Sequence, residues 1–499
     1  MRTKRTVINI VTSLIYQILV LLVGFYVPRL IIQTYGSRIN GLNSTISQIL
    51  NIINFLQAGL VGASIYEMYS QIANNDNDGE ASIYYASKHH FDRLSSYFFL
   101  LSIFIIPYLH FSKSGEELKL YEIVLTVLLM GVNSLLLFKY FTVYDILFSS
   151  HEEKYILIIS QAINKLIYYL FLFCCVIFRM NYIYIFIGNL FATIICLLFL
   201  KYRYKIEYQE KFKRAQVREY KIKNQYHLFA NQIMQQVNES MPIIVISGIY
   251  SLSYASVYSV YLLVCNFIKT IFITILNAIS AGFGNLNAYG NKDKTQKVFD
   301  IIDYLIFSLS LIIIFPMAIL LNSFIDIYTS DLNDIVYRNN ILSIMCIIYT
   351  LSYIYYSLYD FALTNMGLFS KVIKPTIIIA IISSFTTIVC TKTNYAIALS
   401  GIIFFYISLS AVRIRAISKK INISLQAFFL RPFILVFLIC IGCFIRNEIN
   451  GVKQWLLSGV LAEMISLILL ILYSVLFEKK CLHDLFVYVK EVKFKRNGN

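Results

Sequence analysis

The chain has 499 residues, of which 58% are hydrophobic and only 14% are charged. Such a composition leaves too little polar surface to cover a soluble globule of this size, so it excludes a soluble globular protein. The formal net charge of +16 is strongly basic, but nucleic-acid binding does not fit a chain that is mostly apolar. The sequence therefore predicts an all-α polytopic membrane protein.

Apolar stretches long enough to cross a bilayer recur along the whole chain. A spanning helix needs about 20 predominantly apolar residues, and we count about fourteen such stretches. The first is too long for a cleaved signal peptide, ends in VPRL and is followed at once by another span, so we expect it to be retained. The polar stretch 66–93 is predicted to be a loop. The candidate spans are 8–32, 42–64, 94–111, 122–147, 155–178, 183–200, 228–250, 254–284, 298–321, 341–363, 375–391, 395–412, 427–445 and 455–477.

The distribution of Lys and Arg predicts the orientation, because cationic loops are retained on the cytoplasmic side. Most of the 43 basic residues fall on the side of the N-terminus, and the segment 201–223 alone holds nine of them against three acidic ones. Both termini are therefore predicted to be cytoplasmic. The same residues are attracted to anionic lipid headgroups, which accounts for the net charge.

The prolines indicate an internal repeat. Pro28 and Pro242 are separated by 214 residues, and Pro107 and Pro316 by 209. Each pair joins predicted helices six positions apart, which predicts two parallel six-helix bundles around a central cleft, followed by two extra helices. The predicted organisation is an N-terminal bundle 1–200, a basic cytoplasmic linker 201–227, a C-terminal bundle 228–412, two extra helices 413–477 and a basic cytoplasmic tail 478–499.

Two predicted spans carry polar stripes at helical spacing. Polar groups in hydrocarbon must be satisfied by protein or by water, so these faces are expected to line the cleft. The predicted lining residues are Asn9, Ser13 and Gln17 in the first span and Asn231, Gln235 and Asn238 in the seventh.

Ionisable side chains within the spans are candidates for function, because a fixed charge such as that of Arg29 costs roughly 2.5–3.5 kcal/mol on insertion scales. Arg29 can instead extend to the outer headgroups, and Pro28 leaves its direction open. Glu239 and Asp360 are candidates for coupling to an ion gradient, with a structural hydrogen bond as the alternative for Glu239. The candidate cleft cations are Arg29, Lys139, Lys165 and Lys269.

The tenth span is rich in tyrosine. Tyrosine stripes usually mark membrane interfaces, but they also suit sugars, because the ring stacks on C–H groups while the hydroxyl forms hydrogen bonds. The residues are Tyr349, Tyr353, Tyr355, Tyr356 and Tyr359.

Catalytic and metal-binding patterns are not found. Eight of the nine cysteines lie in apolar spans, and the six histidines lack the spacing of a metal site. We see no glycine-rich nucleotide loop and no Ser/His/Asp grouping in an outer loop. We therefore expect no catalytic residue, no metal and no bound cofactor, and the candidate coupling residues suggest a proton or sodium gradient as the energy source.

Several loose motifs recur along the chain. They are the basic start, Asn9, the run to Arg29, Tyr35-Gly36, Gly41-Leu42, Gly59-Leu60 before Tyr66, and YASVYSVYLLV at 254–264. Together they resemble Wzx-type bacterial polysaccharide flippases of the multidrug/oligosaccharidyl-lipid/polysaccharide exporter superfamily. These relatives often carry an aspartate near the middle of helix 7, where this chain has Glu239.

The resemblance implies a substrate and a location. A flippase of this kind moves a polyprenyl-diphosphate-linked oligosaccharide repeat unit across the bacterial cytoplasmic membrane by alternating access, for capsule or similar polysaccharide synthesis. Its expected partners are that lipid-linked oligosaccharide, membrane lipids and the polysaccharide polymerase, with no nucleic acid. The alternatives are a cation-coupled drug or metabolite antiporter of the same superfamily, and a membrane polysaccharide polymerase or acyltransferase.

Overall fold

The computed structural model describes residues 2–220, 226–290, 292–418, 420–422, 430–444 and 451–479. Almost all of these residues are helical and none of them lies in a strand, so the predicted all-α class is confirmed. The predicted tail 478–499 falls almost wholly outside the described residues, as does the part 221–225 of the predicted linker.

Eighteen α-helices follow one another along the described chain. The first eleven are α1 (Arg2–Tyr35), α2 (Ser37–Asn54), α3 (Ala58–Ala73), α4 (Asn77–Ile103), α5 (Ile105–Phe111), α6 (Leu120–Leu136), α7 (Thr142–Ser150), α8 (Lys154–Ile177), α9 (Ile183–Glu207), α10 (Gln209–Arg214) and α11 (Tyr226–Ile249). A π-helical turn, Leu137–Phe141, joins α6 to α7. The others are α12 (Leu252–Ala288), α13 (Lys292–Tyr328), α14 (Asn340–Asn365), α15 (Ile373–Thr393), α16 (Ser400–Ile417), α17 (Arg431–Phe444) and α18 (Val452–Phe477).

Helices occupy the positions of all fourteen predicted spans. Among the described residues, ten helical stretches are long and apolar enough to cross a membrane. The chain is therefore a multi-pass membrane protein, as predicted. Pro28, Pro242 and Pro316 each lie inside a continuous helix, namely α1, α11 and α13. The parallel repeat inferred from the proline spacing stays a prediction.

The predicted loop at 66–93 is wrong, because most of it is helical. Helix α3 continues to Ala73 and α4 begins at Asn77, which leaves only the turn 74–76. Asp76 ends this turn by accepting hydrogen bonds from the backbone N–H groups of Asp78 and Gly79. A capped helix start of this kind explains why so polar a stretch still forms a helix.

The described chain divides into two compact units, and the first comprises residues 1–259 with 332–335. In this unit α1 packs against α2 and α8, while α11 packs against α2 and α3. Gly41 on α2 lies against the start of α12, where a Cβ would come within 1.8 Å of the Leu252 carbonyl oxygen. Only glycine permits this approach, which accounts for one glycine of the motif.

Buried polar contacts hold together the end of the first unit at which α1 begins, here called the N-terminal end. Glu80 is 2% exposed, and its Oε2 accepts a hydrogen bond from Nζ of Lys211 at 2.8 Å. Nε2 of His151 lies 3.2 Å from the same oxygen. The hydroxyl of Tyr208 donates to Glu153 at 2.7 Å. These contacts join α4, the turn 151–153 and α10, so the basic segment after α9 folds back onto the unit.

The second unit comprises residues 260–331 and 336–499, of which the described helices are most of α12 and all of α13 to α18. Here α14 packs against α13 and α16, and α13 also packs against α17 and α18. Buried Arg431 joins the last two helices to α13, because its guanidinium binds Asp303 at 2.5 Å and Glu478 at 2.7 Å.

Candidate functional site

The predicted site residues are divided between the two units. Arg29 and Lys165 are half-buried on α1 and α8 of the first unit. Lys139 lies in the π-helical turn of that unit, and its Nζ is 3.2 Å from Oδ1 of Asp92. Lys269 belongs to the second unit. The roles proposed for these cations stay predictions.

The polar stripe on α1 contacts the first turn of α8. Nδ2 of Asn9 donates to the Glu152 carbonyl oxygen at 2.9 Å, and its Oδ1 accepts from the Tyr155 backbone N–H at 2.7 Å. Ser13 donates to the Asn9 carbonyl oxygen of its own helix at 2.6 Å. Gln17 is half-buried further along the helix. Asn9 thus satisfies one of the otherwise unpaired donors in the first turn of α8.

We expect Asn9→Ala to lower the free energy of unfolding by about 1 kcal/mol, the usual loss when a helix cap is removed. The measurement is unfolding of the purified protein in detergent micelles. Ser13→Ala is the matched control and should cost less, because among the described residues the Ser13 hydroxyl bonds to its own helix. Loss of transport by Asn9→Ala at unchanged stability would instead place Asn9 on the substrate path.

The polar face of α11 forms hydrogen bonds along the helix and to α2. Gln235 donates to Glu239 at 3.3 Å, and Asn238 donates to the Met234 carbonyl oxygen at 2.9 Å. Ser240 donates to Gln48 on α2 at 2.9 Å. Part of this face is therefore a helix contact within the first unit. Asn231, nearer the start of α11, is half-buried.

Lys269 is buried among tyrosines of α14. It is 5% exposed, and its Nζ donates to the Tyr349 hydroxyl at 2.8 Å. The same nitrogen lies 4.3 Å from the ring centre of Tyr353 and 5.2 Å from that of Tyr349. A desolvated ammonium over aromatic faces gains about 2 kcal/mol or more, which helps to offset the cost of its burial.

Asp360 forms an ion pair with a fully buried arginine. Nε of Arg413 donates to Oδ1 of Asp360 at 2.8 Å, and one terminal nitrogen donates to the Tyr356 hydroxyl at 3.0 Å. The guanidinium also lies 4.3 Å over the Tyr356 ring. Its Nη1 has no hydrogen-bond partner among the residues that the structure describes. Asp360 is about one-third exposed, so the pair is buried on the arginine side only.

Tyr406 on α16 connects the two cations. Its ring centre lies 5.3 Å from that of Tyr353 and 4.8 Å from that of Tyr356. Because all the tyrosines of this group are at most 4% exposed, in this conformation they contact one another and the cations rather than a surface. We call the group the aromatic–cation cluster; its members are Lys269, Tyr349, Tyr353, Tyr356, Asp360, Tyr406 and Arg413.

Sequence reasoning missed Arg413, Tyr406 and Gln48. Arg413 lies one residue beyond the predicted span 395–412, so it was counted with the loop residues, yet α16 continues to Ile417. Asp360 was recognised as a charge within a span, and the need for a cation partner was the signal that could have pointed to Arg413.

The fold is that of a multi-pass membrane protein with ionisable groups buried in its spans, an arrangement typical of membrane transporters. It is similar to an inward-facing multidrug resistance MATE family transporter of the MOP superfamily, with a TM-score of 0.64 and 9% identity over 82% of this chain and 93% of that one. It is also similar to the lipid II flippase MurJ in an inward closed conformation, with a TM-score of 0.65 and 13% identity over 94% of this chain and 100% of that one. No protein-family model and no curated protein matches the sequence.

Proposed function

We propose that this chain is a flippase that moves a polyprenyl-diphosphate-linked oligosaccharide across the bacterial cytoplasmic membrane for the synthesis of a cell-surface polysaccharide. The observation that carries the proposal is the extent of the fold match with the lipid II flippase, which covers 94% of this chain and all of that one. The match with the MATE transporter covers 82% of this chain. Fold alone does not define a substrate, so the choice of substrate has to be argued from the side chains within the spans.

The buried cations suit a diphosphate. A sugar headgroup cannot cross hydrocarbon unpaired, because each unsatisfied hydroxyl costs several kcal/mol. A transporter for it needs polar groups for the sugar and cations for the diphosphate. Lys269 and the tyrosines around it supply both kinds of group in the second unit, and Arg29 and Lys165 supply cations in the first. Substrate would reach Lys269 after the tyrosines move apart during alternating access.

Coupling and topology complete the proposal. Glu239 and Asp360 are the proposed coupling groups for a proton or sodium gradient. Both termini are proposed to be cytoplasmic, which places the basic segment after α9 next to the anionic inner leaflet. The polysaccharide polymerase is the expected partner that consumes the translocated unit.

The second candidate is a cation-coupled drug or metabolite antiporter, which the fold match with the MATE transporter favours. A pocket for cationic drugs would present acidic and aromatic groups, whereas the aromatic–cation cluster holds two cations and one carboxylate. The charges of this cluster therefore favour an anionic substrate.

Transport of the lipid-linked oligosaccharide should fall roughly tenfold or more in Lys269→Met, because a charged hydrogen bond to phosphate contributes about 1.5–3 kcal/mol. The measurement is restoration of surface polymer in a deletion strain, with expression and membrane insertion checked. Arg29→Ala and Lys165→Ala should reduce polymer in the same assay. Lys392→Met, on an exposed position of α15, is the matched control and should restore polymer.

Two outcomes would contradict the proposal. If Arg29→Ala, Lys165→Ala and Lys269→Met all restored polymer fully, the cations would not hold the diphosphate. If depletion caused no lipid-linked oligosaccharide to accumulate in the inner leaflet but sensitised cells to cationic drugs, the antiporter would be the function.

A further inference from the structure

A cavity of about 620 Å³ opens on the surface of the first unit, between α4, the π-helical turn with α7, and α9. It lies toward the N-terminal end and is lined by lysines, tyrosines and aliphatic side chains. It belongs to the first unit, whereas the aromatic–cation cluster belongs to the second.

The cavity wall on α9 changes from apolar to cationic along one helix face. Ile194, Leu198, Lys201 and Lys205 follow one another at spacings that keep them on that face. At 1.5 Å per residue the strip is about 16 Å long. Since α9 ends at Glu207, we expect the lysines to lie nearer the membrane surface than the aliphatic residues. A membrane lipid has the same polarity, with its phosphate at the surface and its chains below.

The cavity carries more positive charge than its surroundings neutralise. Four lysines line it, namely Lys88, Lys139, Lys201 and Lys205. Lys139 pairs with Asp92, but across the residues that the structure describes no hydrogen bond or ion pair engages the other three. Three cations converging on one cavity favour an anionic occupant.

The backbone is irregular where it meets the cavity. The π-helical turn Leu137–Phe141 carries both Lys139 and Tyr140, and the Lys139 ammonium lies 5.4 Å from the Tyr140 ring centre. Such turns are rare and occur frequently at functional positions. The rings of Tyr84 and Tyr204 stack at 5.2 Å in the wall. Tyrosines at this depth suit the boundary between lipid chains and headgroups.

We propose that this cavity binds one anionic phospholipid from the leaflet at the N-terminal end. Lys88, Lys201 and Lys205 hold the phosphodiester, and an acyl chain follows Ile194 and Leu198. Phospholipid phosphate is the anion that every bilayer leaflet presents at this depth, and basic pockets between transmembrane helices bind such headgroups. The inference does not rest on the proposed function, because the cavity and its lysines would bind a phospholipid whatever substrate the protein moves.

The test measures retention of phosphatidylglycerol by the full-length protein. The protein is purified in detergent, titrated with phosphatidylglycerol or phosphatidylcholine, and analysed by native mass spectrometry. We expect one tightly retained phosphatidylglycerol and no such retention of phosphatidylcholine. Lys88→Gln/Lys201→Gln/Lys205→Gln should weaken retention on the order of 100-fold, from about 1 kcal/mol per lysine near the headgroups. All three lysines are exposed, so the variant should fold normally.

A matched control separates the cavity from general surface charge. Lys371→Gln/Lys374→Gln/Lys392→Gln removes the same charge from exposed positions of the second unit and should retain the lipid as the wild type does. Equal weakening in both triple variants, or none in the first, would overturn the proposal. A polyprenyl diphosphate that displaced phosphatidylglycerol at equal concentration would assign the cavity to an isoprenoid carrier and overturn it as well.

Discussion

Asp360→Asn is expected to destabilise the second unit by about 3 kcal/mol or more, because it leaves the fully buried guanidinium of Arg413 without a counter-charge. The Tyr356 hydroxyl and ring remain in place but carry no charge to replace the carboxylate. The measurement is unfolding in mixed detergent micelles, compared with the wild type at the same lipid content.

A double variant and a surface control test whether the loss of stability comes from the unpaired buried charge. Asp360→Asn/Arg413→Met removes both charges and should be more stable than Asp360→Asn alone, since an apolar replacement of a buried pair is often neutral. Asp326→Asn breaks the exposed pair with Arg338 and should cost less than about 1 kcal/mol. If Asp360→Asn were as stable as the wild type, the ion pair would not hold α14 to α16.

The same pair offers a physical basis for the proposed coupling. A proton on Asp360 removes the same charge as the asparagine, and Asp360 is the partly exposed member of the pair. A bound proton would then weaken the hold of α14 on α16 while leaving Arg413 buried. Such a change can bias a transporter between conformations only if the two conformations differ in how they pair Arg413.

The spans were predictable because they depend only on apolar length, which the sequence states directly. The short turn at 74–76 was not predictable, because the polar residues of α4 form their contacts with residues distant in sequence. From the sequence alone Glu80 looks like a loop residue, but in the fold it is buried against Lys211 and His151. Burial of a charge beside such partners depends on tertiary contacts that no local pattern contains.

The candidate site was predictable in its residue types but not in its pairings. The charges Lys269 and Asp360 and the tyrosines of the tenth span were recognised one by one. Their grouping depends on the rotation of α12, α14 and α16 about their axes, because Lys269 meets Tyr349 from a helix 80 positions away. Helical periodicity defines which residues share a face, but it does not define which faces meet.

The basic segment after α9 is a further example of tertiary contacts that the sequence did not predict. Its lysines were interpreted as topology signals that are attracted to anionic lipid headgroups, and no contact within the protein was assigned to them. In the structure Lys211 holds buried Glu80, and Lys201 and Lys205 line a cavity with aliphatic walls. Residues interpreted as topology signals can thus also form buried contacts, and a count of charges does not separate the two roles.

Arg431→Met is expected to destabilise the attachment of α17 and α18 by about 3–5 kcal/mol, the usual cost of breaking a buried ion pair. Without this cation the carboxylates of Asp303 and Glu478 stay buried, at 3% and 4% exposure, with no opposite charge from Arg431. The Tyr473 hydroxyl donates to Glu478 but cannot replace the charge. The measurement is limited proteolysis together with unfolding in micelles.

Asp303→Asn/Arg431→Met/Glu478→Gln removes all three charges and should recover much of the lost stability, whereas Arg338→Met at an exposed pair should change little. The combination also bears on function. The same variants test whether α17 and α18 take part in the proposed transport. If those helices serve a lipid-linked substrate, Arg431→Met should lose transport and the triple variant should regain it. Full transport by Arg431→Met with α17 and α18 cleaved would show that they are dispensable.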